Sequence, residues 1–234
     1  MRGLLYCNFT LNKKWFLFSG IVAALGAAVG AVLLNVIDRE ESAQLIGSTI
    51  LLFELVAMLL CPEWTGRQLE SNLKNRFANY TLASPVSHNV FVLTELIQNV
   101  ICTAIGFVMC LAMRGVLCIF DNSFWDASHI KLLGGMALFV IVFDFALTPL
   151  TIKLKSSEKA GAIVGVIAGF GVIGPAIVLY RTLHPDDNTF NLLNAILSVT
   201  EKPWFAPVYI GVCAVLLAVF YAITYHTVKK GDVC

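Results

Sequence analysis

VFVLTELIQNVICTAIGFVMCLAM, residues 90–113, is a continuous apolar run in the middle of a 234-residue chain. A helix rises 1.5 Å per residue, so a run of this length can cross the roughly 30 Å hydrocarbon core of a bilayer. The apolar residues do not alternate with polar ones, and every backbone amide in lipid has to be satisfied within its own segment. The run therefore predicts a transmembrane helix rather than a strand.

The overall composition extends this interpretation to the whole chain. Hydrophobic residues make up 58% of the sequence and charged residues 13%, compared with about 25% charged residues in soluble domains. The mean hydropathy is +0.81. This composition excludes a soluble domain and predicts an integral membrane protein. The net charge of +1 carries little information by itself, and we expect no nucleic-acid partner.

Six apolar segments are long enough to cross the bilayer as helices. The sequence therefore predicts an all-α integral membrane protein with six transmembrane helices, an N-terminal interfacial helix, a cytoplasmic helix and an outer re-entrant helical segment. The predicted spans are residues 15–37, 43–61, 90–113, 130–152, 161–180 and 206–225.

Basic residues give the orientation of these spans. With the N-terminus inside, eleven of the 16 Lys and Arg residues fall in inner segments. Cytoplasmic loops carry the excess of basic residues, so both termini are expected on the cytoplasmic side of the cell membrane. The residues assigned to outer segments are Arg39, Arg114, Lys131, Arg181 and Lys202.

Motifs of catalysis and cofactor binding are missing from the sequence. The seven cysteines form no CxxC pair and fall mostly in or beside apolar runs, which is typical of small core residues. No HExxH, GxSxG or GxxxxGK[ST] pattern occurs, and the four histidines are far apart in sequence. We expect no catalytic residue, no metal and no cofactor in this chain.

Residues 62–89 join the second and third predicted spans on the cytoplasmic side. Pro62 is expected to end the second span. Glu70 and Lys74 are four positions apart, in the order that stabilises a helix. A helix lying on the membrane surface without a partner explains the periodicity as well as a docking helix does. The apolar residues that recur on one face of this predicted helix are Leu69, Leu73, Phe77 and Tyr80.

Other segments outside the lipid have simpler interpretations. Residues 1–14 are hydrophobic and basic, which predicts a short interfacial helix or a frayed tail. Residues 181–205 are too short and too polar to span, and they predict a helical segment at the outer surface. Ser87 or Asn89 can cap the helix that begins near residue 90.

Glu54 lies inside the second predicted span and Asp144 inside the fourth. An acid at membrane depth is costly and suggests a functional site, here a substrate path. The alternative is a protonated, hydrogen-bonded structural group. From the sequence, neither acid has a basic residue in a neighbouring span with which to pair.

Small residues and one proline predict how the spans pack. Glycines spaced by four positions allow helix backbones to approach closely, within the monomer or across a dimer. Pro175 should kink or break the fifth span. The glycines with this spacing are Gly26 and Gly30 in the first span, and Gly161, Gly165 and Gly169 in the fifth.

The order of these features resembles the permease subunits of type-2 ABC exporters. The opening MRGLLYCNFTLNKKW is similar to the hydrophobic and basic helix that leads into their first span. YTLASPVSHNVFVLTEL (80–96) is similar to their pattern of an aromatic residue, a small linker, a Pro-Val-Ser turn and a span. IKLKSSEKAG (152–161) resembles their Glu-Lys element after the fourth span.

The resemblance implies a division of labour between subunits. A second permease, identical or different, would complete the translocation path. Two separate ATPase subunits, which carry the ATP and magnesium, would dock on the cytoplasmic helix. The exported cargo would be amphipathic, with peptides of the phenol-soluble modulin, toxin or antimicrobial type as the expected class. The docking residues implied in this chain are Trp64, Arg67, Leu69, Glu70, Leu73, Lys74, Phe77 and Tyr80.

The same resemblance divides the chain into functional segments. The segments are 1–14 (interfacial helix), 15–61 (two spans), 62–89 (coupling segment), 90–180 (three spans), 181–205 (outer segment) and 206–234 (sixth span and tail). Two other classes of protein remain open. An ion-coupled secondary transporter would use Glu54 and Asp144 and need no ATPase. A membrane scaffold or immunity protein would transport nothing.

Overall fold

A computed structural model of the chain describes residues 2–36, 39–74, 87–121, 127–168 and 202–230. These residues are helical, apart from short turns at helix ends. The helices are α1 (Arg2–Val36), α2 (Arg39–Lys74), α3 (His88–Leu117), α4 (Ala127–Leu154), α5 (Ser157–Ala168) and α6 (Phe205–Lys229).

Four helical stretches in this part of the chain are long and apolar enough to cross a membrane: Lys14–Val36, His88–Leu117, Ala127–Leu154 and Phe205–Lys229. They correspond to the first, third, fourth and sixth predicted spans. The apolar part of α2, Ile46–Leu60, is shorter, and as a helix it covers only about 22 Å. The chain is therefore a helical membrane protein, with four long apolar helices among the described residues. Most of the fifth predicted span lies outside the described residues.

Two helices are longer than the sequence predicts. α1 begins at Arg2 and continues into the first span, so the predicted interfacial helix forms the first turns of α1. The apolar segment of α2 ends at Leu60, just before Pro62, but the helix itself passes through Pro62 and ends only at Lys74. A proline removes one helical hydrogen bond, but the Gln, Leu, Glu and Lys residues that follow it are good helix formers.

The start of α3 follows the predicted capping chemistry. Ser87 precedes the first helical residue, with φ −65° and ψ 146°, and its Oγ accepts a hydrogen bond from the Val90 N–H at 3.4 Å. A serine in extended conformation satisfies one of the amides that the first turn leaves without a helical partner. Of the two residues predicted as caps, Ser87 is the one confirmed.

Close contact between α1, α2 and α3 is made possible by glycines. A Cβ added at Gly26 would lie 2.7 Å from Met113 Sδ and 2.8 Å from Phe53 Cβ. A Cβ at Gly30 would lie 2.8 Å from Leu117 Cδ2. All three distances are below 3.0 Å, which is shorter than the contacts that Cβ atoms make in a relaxed core. The first-span glycines therefore act as packing residues within one chain.

The same three helices are also joined by a hydrogen bond between α1 and α2 and by a close approach of α3 to α2. Ser19 Oγ of α1 donates a hydrogen bond of 2.7 Å to the Ala57 carbonyl of α2. Nearby, Gly106 of α3 lies so close to α2 that an added Cβ would be 3.1 Å from Met58 Cα. Hydrogen bonds between helices are favourable in lipid because no water competes for the same groups.

An apolar cluster lies where α2, α4 and α6 end and α3 begins. We call this end of the bundle the basic end, because Lys74, Lys153 and Lys229 mark the ends of those helices. The buried members of the cluster are Leu69 and Leu73 of α2, Phe91 and Val92 of α3, Phe145 and Ile152 of α4, and Val228 of α6. The extension of α2 beyond its apolar segment thus belongs to a cluster shared with α3, α4 and α6.

The closeness of α1 to its neighbours gives a test of the fold. We expect Gly26→Ala to lower the stability of the protein by about 1–3 kcal/mol, because the new methyl group meets Phe53 Cβ, which is fixed to the α2 backbone. The measurement is the unfolding midpoint in mixed micelles titrated with sodium dodecyl sulfate. Gly115→Ala on α3 is the control, since its Cβ would meet nothing within 4 Å among the described residues. That change should be neutral or stabilising by up to about 1 kcal/mol, and equal loss in both variants would refute the packing.

Candidate functional site

The most deeply buried charges in the described residues form an ion pair between α2 and α3. Glu54 has 0% and Arg114 has 2% of its side chain exposed. Arg114 Nη2 donates to Glu54 Oε2 at 2.7 Å, and Arg114 Nε donates to Glu54 Oε1. This is a bidentate pairing, the geometry in which a guanidinium binds a carboxylate most strongly.

Arg114 lies in the last turn of α3, one residue after Met113, which contacts Gly26 of α1. Arg114 is therefore a buried residue of α3 and not a residue of a loop. The expectation that Glu54 has no basic partner is wrong, because this buried arginine pairs with it.

The energetics of this pair are asymmetric. Moving two charges out of water costs several kcal/mol for each, and their mutual attraction offsets that cost only in good geometry. Removing one partner leaves the other as an uncompensated charge inside the protein. Glu54 is thus part of the packing of α2 against α3, which is a structural role.

Asp144 lies elsewhere, on α4. Its exposure is 6%, and it precedes Phe145, a member of the apolar cluster at the basic end. It lines a cavity that α4 shares with α2 and α5, whereas Glu54 does not line it. The two acids predicted to form one substrate path therefore face different neighbours.

A second polar site lies at the basic end, where α2 meets the start of α5. Glu70 Oε2 accepts hydrogen bonds from the Ser157 backbone N–H at 2.9 Å and from Ser157 Oγ at 2.6 Å. Glu70 Oε1 binds Lys74 Nζ at 2.5 Å. Between α4 and α5, Lys155 has φ 50°, a left-handed conformation that turns the chain sharply. We call this group, Glu70, Lys74 and Ser157, the carboxylate clamp.

The surroundings of Glu70 favour its charged form. Hydrogen bonds from Lys74 and then from Ser157 lower the pKa of Glu70 from 4.5 to about 2. The N-terminus of α5 also carries a partial positive charge that stabilises a carboxylate. Glu70 therefore keeps its negative charge, and with it the clamp, at every pH above 4.5, the ordinary pKa of a glutamate.

The predicted docking residues separate into buried and exposed groups. Leu69 and Leu73 are 3% and 5% exposed and pack within the chain's own core. This corrects the expectation that they bind a partner, because their apolar surface is already covered. Arg67 and Lys74 are exposed, and the Arg67 Cζ lies 5.9 Å from the centre of the Trp15 ring. Such a cation over an aromatic face is attractive and holds Arg67 near α1.

Several other predicted site residues have little or no structural description. The backbone of Trp64 is part of α2. Gly161 and Gly165 lie in α5, where an added Cβ would meet nothing within 4 Å among the described residues, so no close packing occurs there. Those outside the described residues are Phe77, Tyr80, Gly169 and Pro175.

Sequence reasoning missed Arg114 and Ser157. Arg114 directly follows a predicted span, and a charge at that position is ordinarily assigned to a loop. The available signal was that Glu54, an acid inside one span, needs a positive partner, and that Arg114 at the end of the next span is a candidate for it. Ser157 had a weaker signal, as one of two serines before Glu158 that could begin a helix.

Comparisons of the sequence with models of known protein families and with curated proteins gave no match.

The ion pair gives a prediction about stability. We expect Glu54→Gln to reduce the free energy of unfolding by about 3–5 kcal/mol, because the buried Arg114 then loses the negative charge of Glu54. The measurement is the same denaturant titration, followed by circular dichroism. Combining Glu54→Gln with Arg114→Met removes both charges and should recover most of the loss. If the double variant is less stable than the single one, the two residues do not act as a pair.

The carboxylate clamp gives a prediction about local protection. Glu70→Gln weakens the bonds to Ser157, and hydrogen bonds to charged groups contribute about 1.5–3 kcal/mol. We expect amide exchange at the start of α5 to accelerate roughly ten- to hundredfold, measured by hydrogen–deuterium exchange and mass spectrometry. Glu158→Gln is the control, since Glu158 is an exposed acid in the first turn of α5.

The lowered pKa of Glu70 determines the pH dependence of this clamp. Its stabilisation is fully present above the ordinary pKa of 4.5 and is lost as pH falls through the folded value of about 2. The ratio of exchange rates between Glu70→Gln and the unsubstituted protein should therefore stay constant between about pH 5 and pH 8. A ratio that collapses in this interval contradicts the assigned contacts.

Proposed function

We propose that the chain is the membrane-spanning permease subunit of an ATP-driven exporter of the ABC type. The proposal rests on the resemblance described above, from the N-terminal helix through the Pro-Val-Ser turn to the Glu-Lys segment. It places both chain termini on the cytoplasmic side, so that the basic end faces the cytoplasm. A second permease and two ATPase subunits would complete the machine, and ATP and magnesium would bind to the ATPases.

The observation that supports the proposal best is the anchoring of α2 at the basic end. Leu69 and Leu73 belong to an apolar cluster with residues of α3 and α4, which both contact α2, and Glu70 is bonded to the start of α5. A displacement applied at the end of α2 would therefore be transmitted to these three helices. ATP binding can drive transport only if it favours one arrangement of the helices over another. A rod fixed to the bundle can carry that bias.

The contact with an ATPase then has to use other residues than the predicted apolar stripe. Lys74 has 61% of its side chain exposed, and the chain continues from it into residues 75–86. Phe77 and Tyr80 in that segment keep their role as sequence-based docking residues. We infer that charged groups of α2 orient the partner and that the aromatic residues after Lys74 bind it.

The cargo follows from the same resemblance. Amphipathic peptides of the toxin or antimicrobial type suit a path between two permeases that is lined mainly by apolar residues. The reconstituted complex should hydrolyse ATP faster in the presence of such peptides than with polar peptides of equal length. Equal rates for both peptide sets would count against this cargo.

The ion-coupled alternative loses one of its two candidate sites. A secondary transporter needs an acid that can exchange a proton or an ion during the cycle. Glu54 is held in a bidentate pair with Arg114, which supplies a permanent counter-charge. Such a transporter would retain activity without any ATPase, and this separates it from the exporter.

The proposal predicts a specific association. The affinity-tagged chain, purified from its native membrane in mild detergent, should bring down a soluble subunit that contains a P-loop and hydrolyses ATP. We expect Phe77→Asp to reduce the recovered ATPase at least tenfold, since a charge would replace an apolar docking residue. Leu154→Asp is the matched control, because Leu154 is an apolar residue at the basic end with 38% exposure. Undiminished ATPase with Phe77→Asp, or no ATPase after crosslinking, would overturn the proposal.

A further inference from the structure

A cavity of about 420 Å³ lies between α2, α4 and α5 near the basic end. This volume is within the range of about 300–1,000 Å³ that is typical of small-molecule sites. Each helix contributes residues from one of its faces. The walls contain Leu59, Gly66 and Arg67 of α2, Phe143, Asp144, Leu147 and Thr151 of α4, and Ser157, Glu158 and Gly161 of α5.

The cavity is polarised along its length. Leu59, Phe143 and Leu147 supply apolar walls, while Arg67 and Glu158 are exposed at the rim. Asp144 has 6% exposure and is seven residues before Thr151 on α4, which corresponds to about 10 Å along the helix. The cavity therefore joins a buried carboxylate to a charged rim across an apolar surface.

Acidic groups predominate among the described residues of the lining, which include two carboxylates, Asp144 and Glu158, and one guanidinium, that of Arg67. The Arg67 Cζ also lies 5.9 Å from the centre of the Trp15 ring. In addition, Thr151 Oγ1 is buried and has no hydrogen-bond partner among the described residues. A positive charge in the cavity would be attracted to Asp144 more strongly than in water, because the surroundings are apolar.

We propose that this cavity is a binding site for a hydrophobic organic cation, with its apolar groups against Leu59, Phe143 and Leu147 and its positive charge near Asp144. The site belongs to a single chain and includes no residue of an ATPase. It is therefore independent of the proposed exporter function, and the binding test below is done without any partner.

Gly161 offers a way to fill the cavity without disturbing the backbone. An added Cβ at Gly161 or at Gly165 would meet nothing within 4 Å among the described residues, but only Gly161 lines the cavity. Gly161→Leu should therefore occupy the site, and Gly165→Leu should leave it open. Both substitutions are on α5, four positions apart, so they are matched in helix and in chemistry.

The test measures binding of tetraphenylphosphonium to the full chain in lipid nanodiscs, with nanodiscs lacking protein subtracted. We expect saturable binding that Gly161→Leu abolishes, that Gly165→Leu leaves within twofold, and that Asp144→Asn weakens at least tenfold. Tetraphenylborate has nearly the same shape and the opposite charge, and it should not compete. Circular dichroism and the unfolding midpoint show whether each variant is folded.

Each contrary outcome overturns a stated part of the proposal. Absence of saturable binding, or full binding by a folded Gly161→Leu variant, shows that the cavity is not the site. Equal competition by tetraphenylborate shows that the charge of the ligand is not recognised. Should Gly161→Leu fail to fold, Asp144→Asn decides alone, because asparagine has nearly the volume of aspartate. Loss of ATPase association with retained cation binding would overturn the exporter and leave this site in place.

Discussion

The bidentate contact of Glu54 with Arg114 constrains the arrangement of α1, α2 and α3. The apolar part of α2 extends only from Ile46 to Leu60 and contains this glutamate, so α2 is a poor membrane helix by itself. Its charge is compensated only when α3, which follows it in the chain, lies alongside. The glycines at the interfaces permit that approach. Correct placement of α2 therefore depends on α3, although α2 comes first in the sequence.

The carboxylate clamp fixes α2 a second time, about 16 residues further along the helix. Leu69 and Leu73 add apolar contacts at the same level, so α2 is bound to its neighbours both at Glu54 and at the basic end. A helix held at two separated points moves as a rigid element with the helices that hold it. Such an element can couple distant sites when it has two discrete positions.

Local sequence patterns predicted much of this fold, and long-range contacts account for what they missed. The apolar runs of α1, α3, α4 and α6 follow from length and composition, and the cap at Ser87 follows from one side chain and its neighbours. Periodicity on α2 correctly indicated a helix with one buried face, but it carries no information on what buries that face. The partners of Glu54 and Glu70 are 60 and 87 residues away in sequence, and the register between two helices decides them.

The burial of Leu69 and Leu73 changes how a partner can act on this protein. An apolar stripe that is free in solution would bind a partner strongly but would transmit force only through the chain ends. A stripe already buried in a cluster with α3 and α4 leaves less surface for binding, yet every displacement of it has to move those helices or break their contacts. In the proposed exporter, affinity for the ATPase would come from residues beyond Lys74 and transmission from the packed stripe. The proposal therefore divides between two segments the two tasks that the sequence analysis assigned to one face.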